Sequence, residues 1–435
     1  MRVLGVVFGL AAVVGSVIGQ GILRSPGAVA DASTSSWVIM GLWFAGALIS
    51  IVSAMPYAEL GAAIPNAGGP YAYTARAFGE KAAVAVAYSV LMSFFTAVAL
   101  TAFVLGEFLV RIGVGEGRVA PGVLGIASLA LFCAINAAGT RFSGASQVLF
   151  SALKGMALLA LVVFFLANPG APAAEPQAAQ GGALVYVTAL VLILGTYMGW
   201  TDVVLYGEEI ADPGRSIPRS LFGGIAGVAV LYLLVNFALL HVLTGEGMAG
   251  SEFAAADAAG IAFGERGDLI LTVFGILSVG AITSIGLMSS TRMTYAAARA
   301  GILPQVLVKV GSRGTPIRAL LFVAALAALF IASGTYLAVA SAAVAINQFN
   351  LIAVAASAIA LRRREPAMPR PYRMPLFAPM IGVGLVANIV LLAAFIIEDP
   401  IYGLSGFALV GLMWGGYLLF ARGKPHALTE IEEPA

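Results

Sequence analysis

The chain has 435 residues, 60% of them hydrophobic and 10% charged. A soluble domain carries about 25% charged residues. Its apolar runs of about 20 residues or more are continuous, as in membrane-crossing helices, and lack the alternating segments of about ten residues that mark a membrane β-barrel. A net charge of +2 excludes a nucleic-acid surface. The single cysteine, Cys133, sits in an apolar run, which argues against a disulfide scaffold and against a disulfide-linked partner chain. With two histidines, His241 and His426, and no HExxH, paired CxxC or GxSxG, the chain lacks the usual parts of a metal or acyl-transfer enzyme. No catalytic residue, cofactor or metal site is expected.

Twelve spans are expected, near 3–30, 36–64, 82–112, 119–137, 143–167, 183–210, 218–244, 266–299, 316–332, 335–361, 375–397 and 402–421. The first starts almost at Met1. It is longer than the 7–15-residue core of a signal peptide, so it is read as a helix of the mature protein. The longest stretches expected to be non-helical are Asn168–Gly182 and Gly245–Gly267. With the N-terminus in the cytoplasm, 18 of the 23 Lys and Arg residues fall inside and 4 outside, with Lys154 within a span. That segregation supports an even number of spans and cytoplasmic termini. The run Arg362–Arg364 reads as a topogenic stop signal, with an anionic-lipid patch as the alternative.

Span one contains Gly15-Ser16-Val17-Ile18-Gly19-Gln20-Gly21-Ile22, with three glycines and two polar residues in eight positions. Non-helical backbone at membrane depth is tolerated only where it lines a cavity or is buried in protein. Span six carries a similar interruption, Gly195-Thr196-Tyr197-Met198-Gly199-Trp200-Thr201-Asp202. Paired interrupted spans in the two halves of a chain point to the central site of a secondary transporter. The N–H groups that open the second half of a broken helix attract a carboxylate. The carbonyls that close its first half attract an ammonium. The plainer reading is that the glycines only allow close helix packing.

Lys154 lies within the fifth span, where a cation costs roughly 2.5–3.5 kcal/mol on insertion scales. It should face the bundle interior and seek carbonyls or hydroxyls; snorkelling to the interface is the alternative. Glu107 is expected at a solvated helix end. Glu59, Glu208 and Glu209 read as helix-end contacts, with Arg76, Arg292 or Arg299 as ion-pair partners. Asp202 lies just past the second break. Facing a pocket, it would favour a cationic side chain; facing away, it leaves a neutral amino acid as the default. Trp37, Trp43 and Trp414 suit interface belts or lipid contacts.

Four stretches resemble the amino acid–polyamine–organocation (APC) superfamily. They are Gly15–Ile22 (GSVIGQGI), Tyr57–Gly79 (YAELGAAIPNAGGPYAYTARAFG), Gly199–Arg219 (GWTDVVLYGEEIADPGRSIPR) and Arg292–Pro304 (RMTYAAARAGILP). The resemblance implies an all-α membrane protein with a first five-helix repeat over 1–167 and a second, inverted one over 183–361. Two further helices over 374–421 and a cytoplasmic tail over 422–435 would follow. It implies alternating access, with spans one and six hinging at their breaks. It places a substrate carboxylate on N–H groups around Gly19, Gln20 and Gly21. It places the substrate ammonium on carbonyls near Val17 and Ile18, and near Gly195, Thr196 and Met198. Gly195 stands where many members carry an aromatic gate, with Tyr197 and Trp200 close by as candidate lids. The resemblance also gives Lys154 the place of a sodium ion, bridging the break near Gly15 to a hydroxyl of span eight, Ser278 or Ser284. The lysine would then be either a fixed tether or a titrating proton carrier.

The implied activity is sodium-independent amino acid transport across the inner (cytoplasmic) membrane, as proton symporter or exchanger. The implied partners are an amino acid, protons and the lipid bilayer. A carrier of polyamines or other amines, or a non-transporting amino acid sensor on the same fold, are the rivals. The sensor would usually carry a soluble signalling tail.

Overall fold

A computed structural model describes residues 4–19, 21–115, 118–170, 182–251, 253–311, 314–334 and 336–420. Gln20, most of the loop after the fifth expected span and the tail expected over 422–435 lie outside the described residues. Among the described residues the regular structure is helical, apart from one isolated parallel bridge between Leu4 and Ile210. Its helices are α1 (Val6–Val17), α2 (Gly21–Ala30), α3 (Ser36–Ala63), α4 (Pro70–Phe78), α5 (Glu80–Arg111), α6 (Pro121–Ala137), α7 (Thr140–Ala167), α8 (Ala183–Tyr197), α9 (Pro213–Met248), α10 (Ala254–Phe263), α11 (Gly267–Arg299), α12 (Ile317–Ser333), α13 (Tyr336–Arg364), α14 (Phe377–Glu398) and α15 (Pro400–Phe420). A 3₁₀ segment, Trp200–Tyr206, continues α8 beyond its break.

Among the described residues, nine helical runs are long and apolar enough to cross a bilayer. Three of the twelve expected spans come out shorter. α1 has 12 residues because the glycine-rich stretch ends it, and α6 and α12 have 17 each. At 1.5 Å per residue, 17 residues reach about 26 Å, just under the bilayer's hydrocarbon thickness. The stretch Gly245–Gly267 corrects an expectation, because a helical turn continues to Met248 beyond a kink at Thr244 and α10 fills Ala254–Phe263. Its run of alanines is strongly helix-favouring, and a short apolar helix of this kind does not register as a span.

The long helices are apolar on every face, because one face meets lipid and the other meets protein. Position in the bundle separates them. α5 is the most buried of the nine and α15 the least. α5 packs on α11, α6 and α13, while α9 packs on α1 and α3. The two broken helices are thereby enclosed by unbroken ones. Proline opens α4, α6 and α9 at the first turn, where its missing N–H has no intrahelical partner to lose.

Candidate functional site

α1 ends at Val17, and Ile18 turns the chain into an extended conformation before α2 begins at Gly21. Two of the carbonyls released by this break are taken by one side chain. Lys154, fully buried on α7, donates from Nζ to Gly15 O at 2.5 Å and also to Ile18 O, with Ser278 O at 3.5 Å. The Ser278 hydroxyl donates to the same Ile18 carbonyl at 3.1 Å. These contacts differ from the expected bridge in two respects. The ammonium meets the carbonyl of Ser278 and not its hydroxyl. Ser284 is not among its partners; its carbonyl instead faces Asn136 Nδ2 at 3.4 Å. Six residues separate the two serines along α11, close to 1.7 turns, so they face different sides of the helix. One turn before Lys154, Ser151 Oγ donates to Ala11 O at 2.7 Å. A Cβ on Gly15 would lie 2.0 Å from Gln147 Nε2 and 2.5 Å from Ser151 Oγ. Glycine is what lets α1 lie this close to α7.

The second break falls at Met198 and Gly199. Met198 is extended, and Gly199 has φ 114°, a conformation that side chains resist. A Cβ on Gly199 would also sit 2.7 Å from Ser16 O. The two breaks thus touch, and glycine is required where they do. On the far side of the contact, Tyr232 of α9 directs its hydroxyl at both first halves, with Val17 O at 2.9 Å and Thr196 O at 3.2 Å. These are two of the carbonyls expected to face a substrate ammonium. Sequence reasoning missed Tyr232, which lies in an unremarkable apolar run. Its ring packs against Tyr197 and Trp43. Trp43 is fully buried, which corrects its placement at the lipid interface. Trp37 is 88% exposed. Trp414 is tied to the bundle through Nε1, which donates to Lys81 O at 2.8 Å.

A cavity of about 210 Å³ opens beside the breaks, between α3, α5, α11, α13 and the 3₁₀ segment. Its polar lining includes Ser16, Tyr57, Ser93, Asp202, Asn347 and Asn350. Of the residues expected at the site, Met198 and Asp202 line it. Asp202 is 6% exposed, and its Oδ2 accepts from Ser16 Oγ at 3.1 Å and Ser289 Oγ at 3.0 Å. Tyr197 and Trp200 are buried in aromatic packing, Trp200 edge-on to Tyr57 at 5.2 Å between ring centres. Gly195 is exposed, and a Cβ there would meet nothing within 4 Å. In this conformation none of these three closes over the cavity. Gly19 and Gly21 stay at the break itself, Gly21 against Thr196 and Gly19 against Ile282 of the cavity wall.

The end of the bundle that holds Leu4 is laced by ion pairs. Leu4 pairs its backbone with Glu209 and Ala211, joining the start of α1 to the segment after the second break. Glu209 binds Arg292 at 2.7 Å and Glu208 binds Arg299 at 2.5 Å. Glu208 also accepts from the amide of Ala67 at 3.1 Å. Glu59 departs from expectation by pairing with Arg362 and Arg370, both beyond the residues weighed as its partners. Arg76 turns instead to Glu365 at 2.7 Å. Arg362 and Arg364 are accordingly occupied within the protein, Arg364 on the Ala77 carbonyl.

The family described as amino acid permease matches residues 4–414. The chain is 27% identical to a serine/threonine exchanger of Bacillus subtilis, over 94% of each chain. It is 28% identical to the mouse Asc-type amino acid transporter 1, over 99% of this chain and 83% of the relative. It is 29% identical to the mouse large neutral amino acids transporter small subunit 2, over 87% of this chain and 73% of the relative. A multi-helical membrane bundle with two touching breaks and a polar cavity beside them is thereby matched along nearly its whole length, and the chain belongs to the amino acid permease family of the APC superfamily, whose members are transporters and not enzymes.

Proposed function

We propose that this amino acid transporter is sodium-independent and works by alternating access, as an exchanger or proton symporter of the cytoplasmic membrane with both termini inside. In this reading, residues 1–167 and 183–361 form two inverted five-helix repeats, and 374–421 adds two helices. The breaks at Ile18 and Met198–Gly199 are the hinges. The substrate carboxylate meets the N–H groups opening α2, around Gly19, Gln20 and Gly21. Its ammonium meets the carbonyls that close α1 and α8, with its side chain in the cavity.

The observation that carries this reading is the Lys154 ammonium held on the Gly15 and Ile18 carbonyls. A fully buried cation fixed on the released carbonyls of the break supplies the positive charge that a sodium ion would otherwise bring. Lys154 is then a tether: the cavity lining does not include it, and its hydrogen-bond donors are engaged by backbone. The relatives' names support a substrate with an uncharged side chain, one exchanging serine and threonine and another carrying large neutral amino acids.

The test is uptake of radiolabelled amino acids into sodium-free proteoliposomes, driven by an inward proton gradient or by unlabelled amino acid inside, for native protein and Lys154→Ala. The reading expects native uptake under at least one drive and none in the variant. Failure of the native protein with every amino acid, together with uptake of a polyamine, would replace it with an amine carrier. Binding without flux would indicate a sensor.

A further inference from the structure

Asp202 presents a problem that the backbone site does not solve. A carboxylate taken out of water needs a cation or a proton as well as hydrogen bonds. Among the described residues no basic side chain pairs with it. Its partners are hydroxyls alone, Ser16 from α1 and Ser289 from α11. Each charged or titratable neighbour on the elements around it is otherwise engaged. Lys154 of α7 is held in the first break. Arg292 of α11 is paired with Glu209. Tyr57 of α3 faces the Asn350 carbonyl at 3.5 Å. Tyr206, on the same 3₁₀ segment, meets Ser289 at 2.8 Å.

The last contact lets the Ser289 hydroxyl point either way. With Asp202 ionised, Ser289 donates to Asp202, so Tyr206 must donate to Ser289. With Asp202 protonated, the acid donates to Ser289, and the Ser289 hydroxyl turns to Tyr206 Oη. A hydroxyl can reverse in this way; an arginine or lysine partner cannot. The carboxylate also lines the cavity, so a proton has a path to it from water.

We propose that Asp202 is the proton-binding site of the carrier, loaded from the cavity, with Ser289 and Tyr206 as its hydrogen-bond relay. The proposal rests on reading the cavity as the transport site. Loading forms one O–H bond with a proton taken from water, and unloading returns it. The proton also acts on the hinges. Hydrogen bonds to an ionised acceptor are roughly twice as strong as neutral ones. Protonation therefore weakens the Ser16–Asp202 link, which ties the first half of one broken helix to the second half of the other.

Proteoliposomes enclosing a pH-sensitive dye test this. The native protein, given serine outside and an inward proton gradient, should accumulate serine and acidify the lumen beyond the leak. D202N, checked for folding by thermal unfolding in detergent, should lose both accumulation and acidification, leaving a slower serine–serine exchange indifferent to pH. S289A keeps the carboxylate and should shift the pH of half-maximal accumulation. Serine-coupled acidification persisting in D202N would overturn the proposal. So would native exchange without any acidification, which leaves the transport reading standing. Loss in D202N of lysine uptake alone, with serine accumulation intact, would also overturn it, making Asp202 a substrate contact. A native protein that moves no amino acid in either mode would defeat the transport-site reading itself.

Discussion

Lys154 and Asp202 are two buried ionisable groups in contact with the broken helices, and they are satisfied in opposite ways. Lys154 is surrounded by backbone carbonyls, which can only accept. Asp202 is surrounded by hydroxyls, which can donate or accept, and it borders the cavity. A cation among pure acceptors has an oxygen to receive each of its protons. A carboxylate among reversible partners can be hydrogen-bonded whether ionised or protonated. In the proposed reading, Lys154 holds the first break in shape and Asp202 responds to what enters.

Breaking the fixed side should have the largest effect. Lys154→Ala strands the Gly15 carbonyl, at about 1–3 kcal/mol for a buried group left unsatisfied, and leaves the Ile18 carbonyl to the Ser278 hydroxyl alone. Thermal unfolding in detergent should fall clearly, and uptake should drop to background. Lys154→Arg should not rescue it, because a planar fork does not fit a site built for a compact ammonium.

Gly199→Ala comes next. It forces a side chain into φ 114° and against the Ser16 carbonyl. The strain is about 1–3 kcal/mol, and transport should fall further than stability, since the contact between the breaks is displaced. Turnover measured beside the unfolding temperature separates the two.

Tyr232→Phe removes one hydroxyl shared by Val17 O and Thr196 O. The expected loss is about 1 kcal/mol, with a change in substrate affinity read from saturation of uptake. Tyr197→Phe should do least. The Tyr197 hydroxyl is buried with no hydrogen-bond partner among the described residues. Its removal should leave stability within about 0.5 kcal/mol or raise it slightly. A large loss would mean that this hydroxyl binds something during transport.

The sequence made the breaks and the lysine legible because both violate the composition around them. Three glycines in eight positions cannot be a plain span, and a cation within an apolar run must find acceptors. Direction was far less legible. Whether Asp202 faces the cavity, or Trp43 faces lipid, depends on the rotation of each helix. A span that is apolar on every face carries no stripe to fix that rotation. Tyr232 was missed for the same reason, since its role lies in two carbonyls that only the folded breaks bring together. The partners of Glu59 sit about 300 residues away, beyond any local pattern. Helix α10 was lost because an alanine-rich piece too short to span reads as a loop when spans are being counted.

The central claim is that a lysine ammonium supplies the positive charge of the first break. The most direct measurement is initial uptake of labelled serine by the purified native protein in proteoliposomes, with external sodium replaced by choline at constant ionic strength and pH. The account predicts equal rates in the two media. Uptake that requires sodium and saturates with it would contradict the account.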